Sequence, residues 1–122
     1  MPDYEFSVVF YDTPIGAEPA KEYLDSLDAK MFAKTLRSIE VVRAEGPAAR
    51  EPYSKHLEEG IFEIKARVGS DISRVLYFFF INRRIILTHG FVKKTQKTPR
   101  AEIDRAKKYR AEFLSRKRPN DD

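Results

Sequence analysis

The sequence predicts an α+β domain with the element order β-α-α-β-β-β-α. An antiparallel meander sheet packs against a helical hairpin and a C-terminal helix. Three observations carry this expectation. Apolar residues recur at helical spacing through residues 17–45, with only Asp28 as a break. Strand-like runs follow between 61 and 92, divided by Gly69-Ser70-Asp71 and Asn82-Arg83-Arg84. A last helical pattern opens after Thr98-Pro99. The 122 residues have the size of one domain, expected over 1–118 with a disordered tail at 119–122.

Each element has a local reason. EFSVVFY (5–11) is rich in β-branched and aromatic residues, and Asp12-Thr13-Pro14 ends it. Residues 17–27 form a helix with Pro19 in its first turn, and Ala20, Tyr23, Leu24 and Leu27 make one apolar stripe. Asp28 caps a second helix, 29–45, whose expected buried stripe is Phe32, Leu36, Ile39 and Val42 or Arg43. Gly46-Pro47 stops it. So short a connection folds the two helices back as a hairpin. YSKHL (53–57) reads as a weak strand or extended loop. IFEIKARV (61–68) sets Phe62, Ile64 and Ala66 against Glu63, Lys65 and Arg67. ISRVLYFFFI (72–81), the most apolar run, belongs at the centre of the sheet, with the first strand at an edge. In 84–92, alternation places Ile85, Leu87, His89 and Phe91 on one face, and Lys93 keeps their parity. Thr98 caps the final helix and Pro99 starts it; Ile103, Ala106, Tyr109, Phe113 and Leu114 form its apolar side.

Composition narrows the function classes. There is no cysteine, hence no disulfide framework and no thiolate chemistry. Two histidines, His56 and His89, do not suggest a zinc site, and no metal or cofactor is expected. MPDYEF lacks the pattern of a signal peptide, and no apolar run approaches the roughly 20 residues of a membrane span. The expected location is the cytoplasm, with no membrane partner. The net charge of +4 is uneven: residues 1–92 hold 12 basic and 14 acidic residues, and 93–122 hold 11 and 5. A field that begins at Lys93 attracts polyanions, either nucleic acid or an acidic protein segment.

Residues 88–99, THGFVKKTQKTP, combine Lys93, Lys94 and Lys97 with Thr95, Gln96 and Thr98 and contain no acid. Cations neutralise phosphate, while hydroxyls and amides fix register. The run GFVKKTQKTP, preceded by YFFFINRRIILTH and followed by a basic amphipathic helix, resembles the phage-derived branch of the RelE/HigB toxins of type II toxin–antitoxin modules. The resemblance covers roughly residues 5–115. It implies a RelE-like fold and a metal-independent endoribonuclease that cuts messenger RNA on the ribosome through attack by the 2′-OH. It also implies a cognate antitoxin, of the helix-turn-helix HigA type, with DNA met only through that complex.

The same resemblance suggests the site. Lys93 and Lys94 match the family's paired lysines and would bind phosphate. Arg67 closes a strand like the family's E-x-R segment and would hold the scissile group, unless it pairs with a glutamate across the strands. Arg74, in ISRVLY, matches the R-x-x-Y/F opening; it would contact RNA, brace the site, or pair with Asp71 or Glu63. Lys55 and His56 stand where relatives place a general base, and His89 adjoins the same end of the sheet. Lys97, Arg100, Lys107 and Lys108 would extend the RNA surface. Two departures are plain. Pro99 and Arg100 stand where RelE-type relatives often carry a tyrosine, and THGF lacks the acid of the HigB-type cluster. A ParE-like gyrase-binding toxin without nuclease activity, or a non-enzymatic nucleic-acid-binding domain, are the alternatives.

Overall fold

The computed structural model describes residues 5–116, and the tail expected at 119–122 lies outside them. In chain order the elements are β1 (Ser7–Phe10), α1 (Pro19–Asp25), α2 (Ala29–Glu45), a single 3-10 turn (Gly46–Ala48), β2 (Ser54–Glu58), β3 (Ile61–Val68), β4 (Asp71–Phe80), β5 (Arg84–Lys93) and α3 (Arg100–Arg116). The five strands lie in the order β1-β5-β4-β3-β2. As expected, the apolar β4 is central and β1 is at an edge. β1 runs parallel to β5, from Ser7 opposite Arg84 to Phe10 opposite Leu87, and the other pairs are antiparallel. The sheet is therefore mixed. The weakly strand-like run at 53–57 is a full edge strand, so the observed order is β-α-α-β-β-β-β-α. Its signal was faint because Lys55 and His56 face solvent, as edge strands often require. Among the described residues no helix is long and apolar enough to cross a membrane.

The sheet carries a separate core on each face. Leu24, Ile39, Val42, Ile64, Val75, Tyr77, Ile85 and Leu87 pack beneath the α1–α2 hairpin. Tyr11, Ile61, Leu76, Phe78, Ile86, Ala106 and Phe113 pack beneath α3. Tyr11 Oη donates to Glu112 Oε1 at 2.6 Å, which ties β1 to α3. Burial, together with that carboxylate, pushes the phenol up to about 12.

Helix α2 departs from the expected stripe. Asp28 caps it, its Oδ1 accepting from Met31 N at 2.9 Å. The buried residues are Met31, Thr35, Ser38, Ile39 and Val42, whereas Phe32 and Leu36 are 37% and 41% exposed. The helix is turned by its hydroxyls. Thr35 Oγ1 donates to Ser73 Oγ at 2.8 Å, and Ser38 Oγ donates to Lys65 O at 2.7 Å. Tyr23 joins from α1, its hydroxyl 2.7 Å from Ser73 Oγ. Its ring lies so close to Gly90 that a Cβ there would come within 2.2 Å of it. These bonds satisfy polar groups on a nearly dry face, and short side chains let helix and sheet approach.

A β-bulge changes the parity of β5. Leu76 faces His89 but Tyr77 faces Leu87, so Thr88 is an extra residue. Its hydroxyl donates to Leu76 O at 3.1 Å. The single face expected for Ile85, Leu87, His89, Phe91 and Lys93 is thus split. Ile85 and Leu87 join the core under the helical hairpin, and His89, Phe91 and Lys93 turn to the α3 side.

Thr35→Val keeps the volume of this buried side chain and deletes its hydroxyl. It is expected to lower unfolding free energy by about 1–2 kcal/mol in urea denaturation, without changing the m-value.

Candidate functional site

The bulge at Thr88 creates the site's first feature. Arg67 lies opposite Ile72, and Ile72 lies opposite Lys93. Directly opposed residues share a face, so Arg67 and Lys93 flank Ile72 on the α3 side, with Cα atoms about 10 Å apart across two strand spacings. Ile72 is buried beneath them; Arg67 and Lys93 are exposed. Had strict alternation run through Thr88, Lys93 would have pointed to the opposite face of the sheet from Arg67.

The second feature is a buried knot that holds the loop after β5. The Arg74 side chain is 0% exposed, and its Nη1 donates to both Glu63 oxygens at 3.1 Å and to Thr98 Oγ1 at 3.2 Å. Its Nη2 donates to Thr95 O, and to Gln96 O at 3.1 Å. Thr98 Oγ1 donates to Glu63 Oε1 at 2.6 Å. One guanidinium thereby fixes the backbone of 95–98 over the sheet. Among the described residues, Arg74 Nε is the buried side-chain polar atom without a partner. The expectation that Arg74 contacts RNA is corrected: it presents nothing to solvent, and it acts as the structural pair with Glu63.

Two clefts open around this loop and meet at Gln96. The first, of about 530 Å³, lies between α2 and β3 and is lined by Lys34, Arg37, Ser38, Glu51, Pro52, Tyr53, Lys65, Ala66, Arg67, Ile72 and Gln96. Because β2 starts at Ser54, opposite Ile64, the β3 edge beyond Lys65 has no strand beside it. The second, of about 570 Å³, runs between β2 and α3 past Lys55, His56, Leu57, Glu58, Gln96, Lys97, Thr98, Arg100 and Ile103. Seven Lys and Arg side chains line the pair, against two carboxylates, and both acids are already paired. Glu51 holds Lys65 at 2.7 Å. Glu58 holds Arg100 at 2.5 Å and also Lys107. The Lys107 ammonium, helped by Arg100, keeps the Glu58 carboxyl below its usual range, and Glu58 in turn raises Lys107. Among the described residues, Lys34, Arg37, Lys55, Arg67, Lys93 and Lys97 have no carboxylate partner.

The expected site residues therefore divide. Arg67, Lys97 and Lys55 line the clefts without a carboxylate partner among the described residues, and Lys93 stands across Ile72 from Arg67. Lys94 leaves the row: its ammonium bonds Asp71 Oδ1 at 2.6 Å and Ser70 Oγ at 3.3 Å, bracing the β3–β4 turn. His56 faces the second cleft, but its Nε2 accepts from Gly60 N at 3.2 Å, which leaves the proton of the neutral ring on Nδ1. Arg100 and Lys107 are tied to Glu58, and Lys108 is exposed on α3 outside both clefts. His89 is 3% exposed and enclosed under α3, with Nδ1 3.1 Å from Thr88 Oγ1 and Nε2 3.0 Å from Glu102 Oε1. It does not reach the clefts. Glu102, in the first turn of α3, is the carboxylate beside His89. Among the described residues no three His, Cys, Asp or Glu side chains gather to hold a metal ion.

Lys34 and Arg37 were not expected. They sit at i and i+3 on α2, and assigning Leu36 to the core had turned that face away from the sheet. The polar spacing of Thr35 and Ser38 was the signal that would have turned it back. A family model described as Phage derived protein Gp49-like (DUF891) matches residues 22–111, a span that holds every cation lining the clefts. No curated protein matches the chain.

Arg74→Met leaves Glu63 buried without its cation and frees the 95–98 backbone. A loss of about 3–5 kcal/mol in chemical denaturation is expected. A second expectation concerns pH. Burial holds the His89 imidazole below its ordinary range, against a smaller upward pull from Glu102. The unfolded chain, titrating near about pH 6.5, binds this proton more readily than the native state. The stability this residue contributes is therefore complete above about pH 6.5 and is lost as pH falls below that value. Thermal melts from pH 7.5 down to 5.5 should show a falling Tm, and His89→Gln should flatten that fall.

Proposed function

The chain belongs to the phage-derived Gp49-like family, a toxin-type family of toxin–antitoxin modules, which implies an antitoxin partner; from that premise we propose that it is an endoribonuclease that cleaves messenger RNA on the ribosome. One observation carries the reading. Five cations without carboxylate partners among the described residues, drawn from α2, β2, β3 and the 94–99 loop, line two clefts that share Gln96 and whose two acids are already engaged, and Lys93 stands across Ile72 from Arg67. Such a surface offers uncompensated positive charge to a phosphodiester chain.

The chemistry asks little more than charge and alignment. The RNA 2′-oxygen attacks the adjacent phosphorus, the 5′-oxygen leaves, and the products are a 2′,3′-cyclic phosphate and a 5′-hydroxyl. Arg67 supplies a planar fork suited to two phosphate oxygens, and Lys93 reaches the same group from across Ile72. Both meet charge that grows in the transition state, where fixed cations act most strongly. Lys97 and Lys55 hold the flanking phosphates. Lys55 and His56, at the head of the second cleft, are the candidate acceptors of the 2′ proton; His56 would release Gly60 N to serve. Lys94 acts indirectly, by holding the turn between β3 and β4. An acidic helix of a helix-turn-helix antitoxin is the matching inhibitor, because it would neutralise the same clefts.

Purified protein on programmed ribosomes, with 5′ ends mapped by primer extension, tests the reading. Codon-spaced cuts are expected. Arg67→Ala and Lys93→Ala should each slow single-turnover cleavage by about 10²–10³-fold while leaving Tm nearly unchanged, because both side chains are exposed. Intact message beside blocked gyrase or broken DNA would replace the nuclease with a gyrase-binding toxin.

A further inference from the structure

The cleft between α2 and the open edge of β3 extends away from Arg67 toward α2. Its volume of about 530 Å³ falls within the about 300–1,000 Å³ range of small-ligand sites. Its apolar lining residues are half-buried Ala66 and buried Ile72, neighbours on opposite faces of the β3 edge. Tyr53 stands in its wall with its backbone fixed on both sides, N–H donating to Arg50 O and C=O accepting from Lys65 N, each at 2.9 Å. Lys34 and Arg37 border it from α2, exposed and without carboxylate partners among the described residues. The one acid in the wall, Glu51, is neutralised by Lys65. An aromatic residue, an apolar edge and two cations without carboxylate partners are the chemistry that receives a nucleobase together with its phosphates.

We propose that this cleft is a nucleotide-binding pocket, in which one unpaired nucleotide of an RNA strand lodges its base against Tyr53 and its flanking phosphates against Lys34 and Arg37. The pocket adjoins Arg67, so the lodged nucleotide neighbours the linkage to be cut. It deepens the nuclease reading and rests on it for the identity of the strand. An acidic peptide would satisfy the cations but would leave the aromatic residue and apolar edge without a partner, which is why a nucleotide is the better fit.

Binding of a fluorescent 2′-O-methyl RNA hexamer, which cannot be cleaved, separates the pocket from the chemistry. In anisotropy titrations at low salt, Lys34→Ala/Arg37→Ala should weaken binding about ten-fold or more. It should also reduce the slope of log K against log salt by about 1–1.5, the loss of two phosphate contacts on a single strand. Lys30→Ala, on α2 outside the cleft, should change the slope much less. Tyr53→Leu should weaken the hexamer but leave inorganic polyphosphate binding as it was, which marks base contact. Unchanged hexamer affinity and slope in the double variant overturn the pocket, even where ribosomal cleavage is observed. So does a loss confined to a polyglutamate peptide, or an unaffected hexamer in Tyr53→Leu. Conversely, if the protein leaves message intact yet the variants lose the hexamer as described, the pocket stands and the nuclease reading alone falls.

Discussion

Everything on the groove side of the sheet depends on a guanidinium that no solvent reaches. Arg74 and Glu63 are both almost wholly buried, and desolvating such a pair is expensive. An apolar pair of similar volume would fill the space at lower cost. What the apolar pair could not do is bind Thr95 O, Gln96 O and Thr98 Oγ1 at once. The ion pair is a clamp on a loop that is otherwise polar, exposed and self-repelling. Lys93 ends β5 and Lys94 and Lys97 follow in that loop, and their like charges would favour open conformations. The clamp holds one of them, and so sets where Lys97 and Gln96 stand relative to Arg67.

Much of this architecture could be read from residue order. The apolar run of β4 marked the middle of the sheet, Asp28 and Thr98-Pro99 marked helix starts, and the Phe62/Glu63 alternation assigned both faces of β3 correctly. What could not be read was one inserted residue. A bulge leaves no composition of its own: Thr88 is an ordinary strand former, and strict alternation ran straight through it. That single residue carries Lys93 from one face of the sheet to the other. The convergence of Arg67 with Lys93 was thus expected from the resemblance, while simple parity would have forbidden it. For Arg74 the pair with Glu63 was among the expected readings, and only its complete burial went unforeseen, because arginine is seldom fully buried.

The α2 helix shows a second way in which pattern misleads. Phe32 and Leu36 made a good apolar stripe with Ile39, but Thr35 and Ser38 had acceptors waiting on the sheet. Hydroxyls that find partners bury as well as aliphatic groups do, and their small size brings the helix closer. The outcome is a helix whose inner face is partly polar. Its outer face mixes exposed apolar residues with free cations, and it is these cations, Lys34 and Arg37, that complete the wall of the first cleft. Propensity and charge were legible in the sequence, but the rotation of the helix about its axis was not.

β1 is parallel to β5, and its neighbour in the sheet begins only at Arg84. A growing polypeptide therefore exposes its first strand long before the seat for it exists, and the helical hairpin and three further strands must emerge in between. The clamp's carbonyls at Thr95 and Gln96 arrive later still, and α3, which seals the second core, comes last. Until then the cations of β2 and β3 lie on an unfinished scaffold with no ordered loop opposite them. The clefts are therefore complete only once nearly the whole domain has left the exit tunnel.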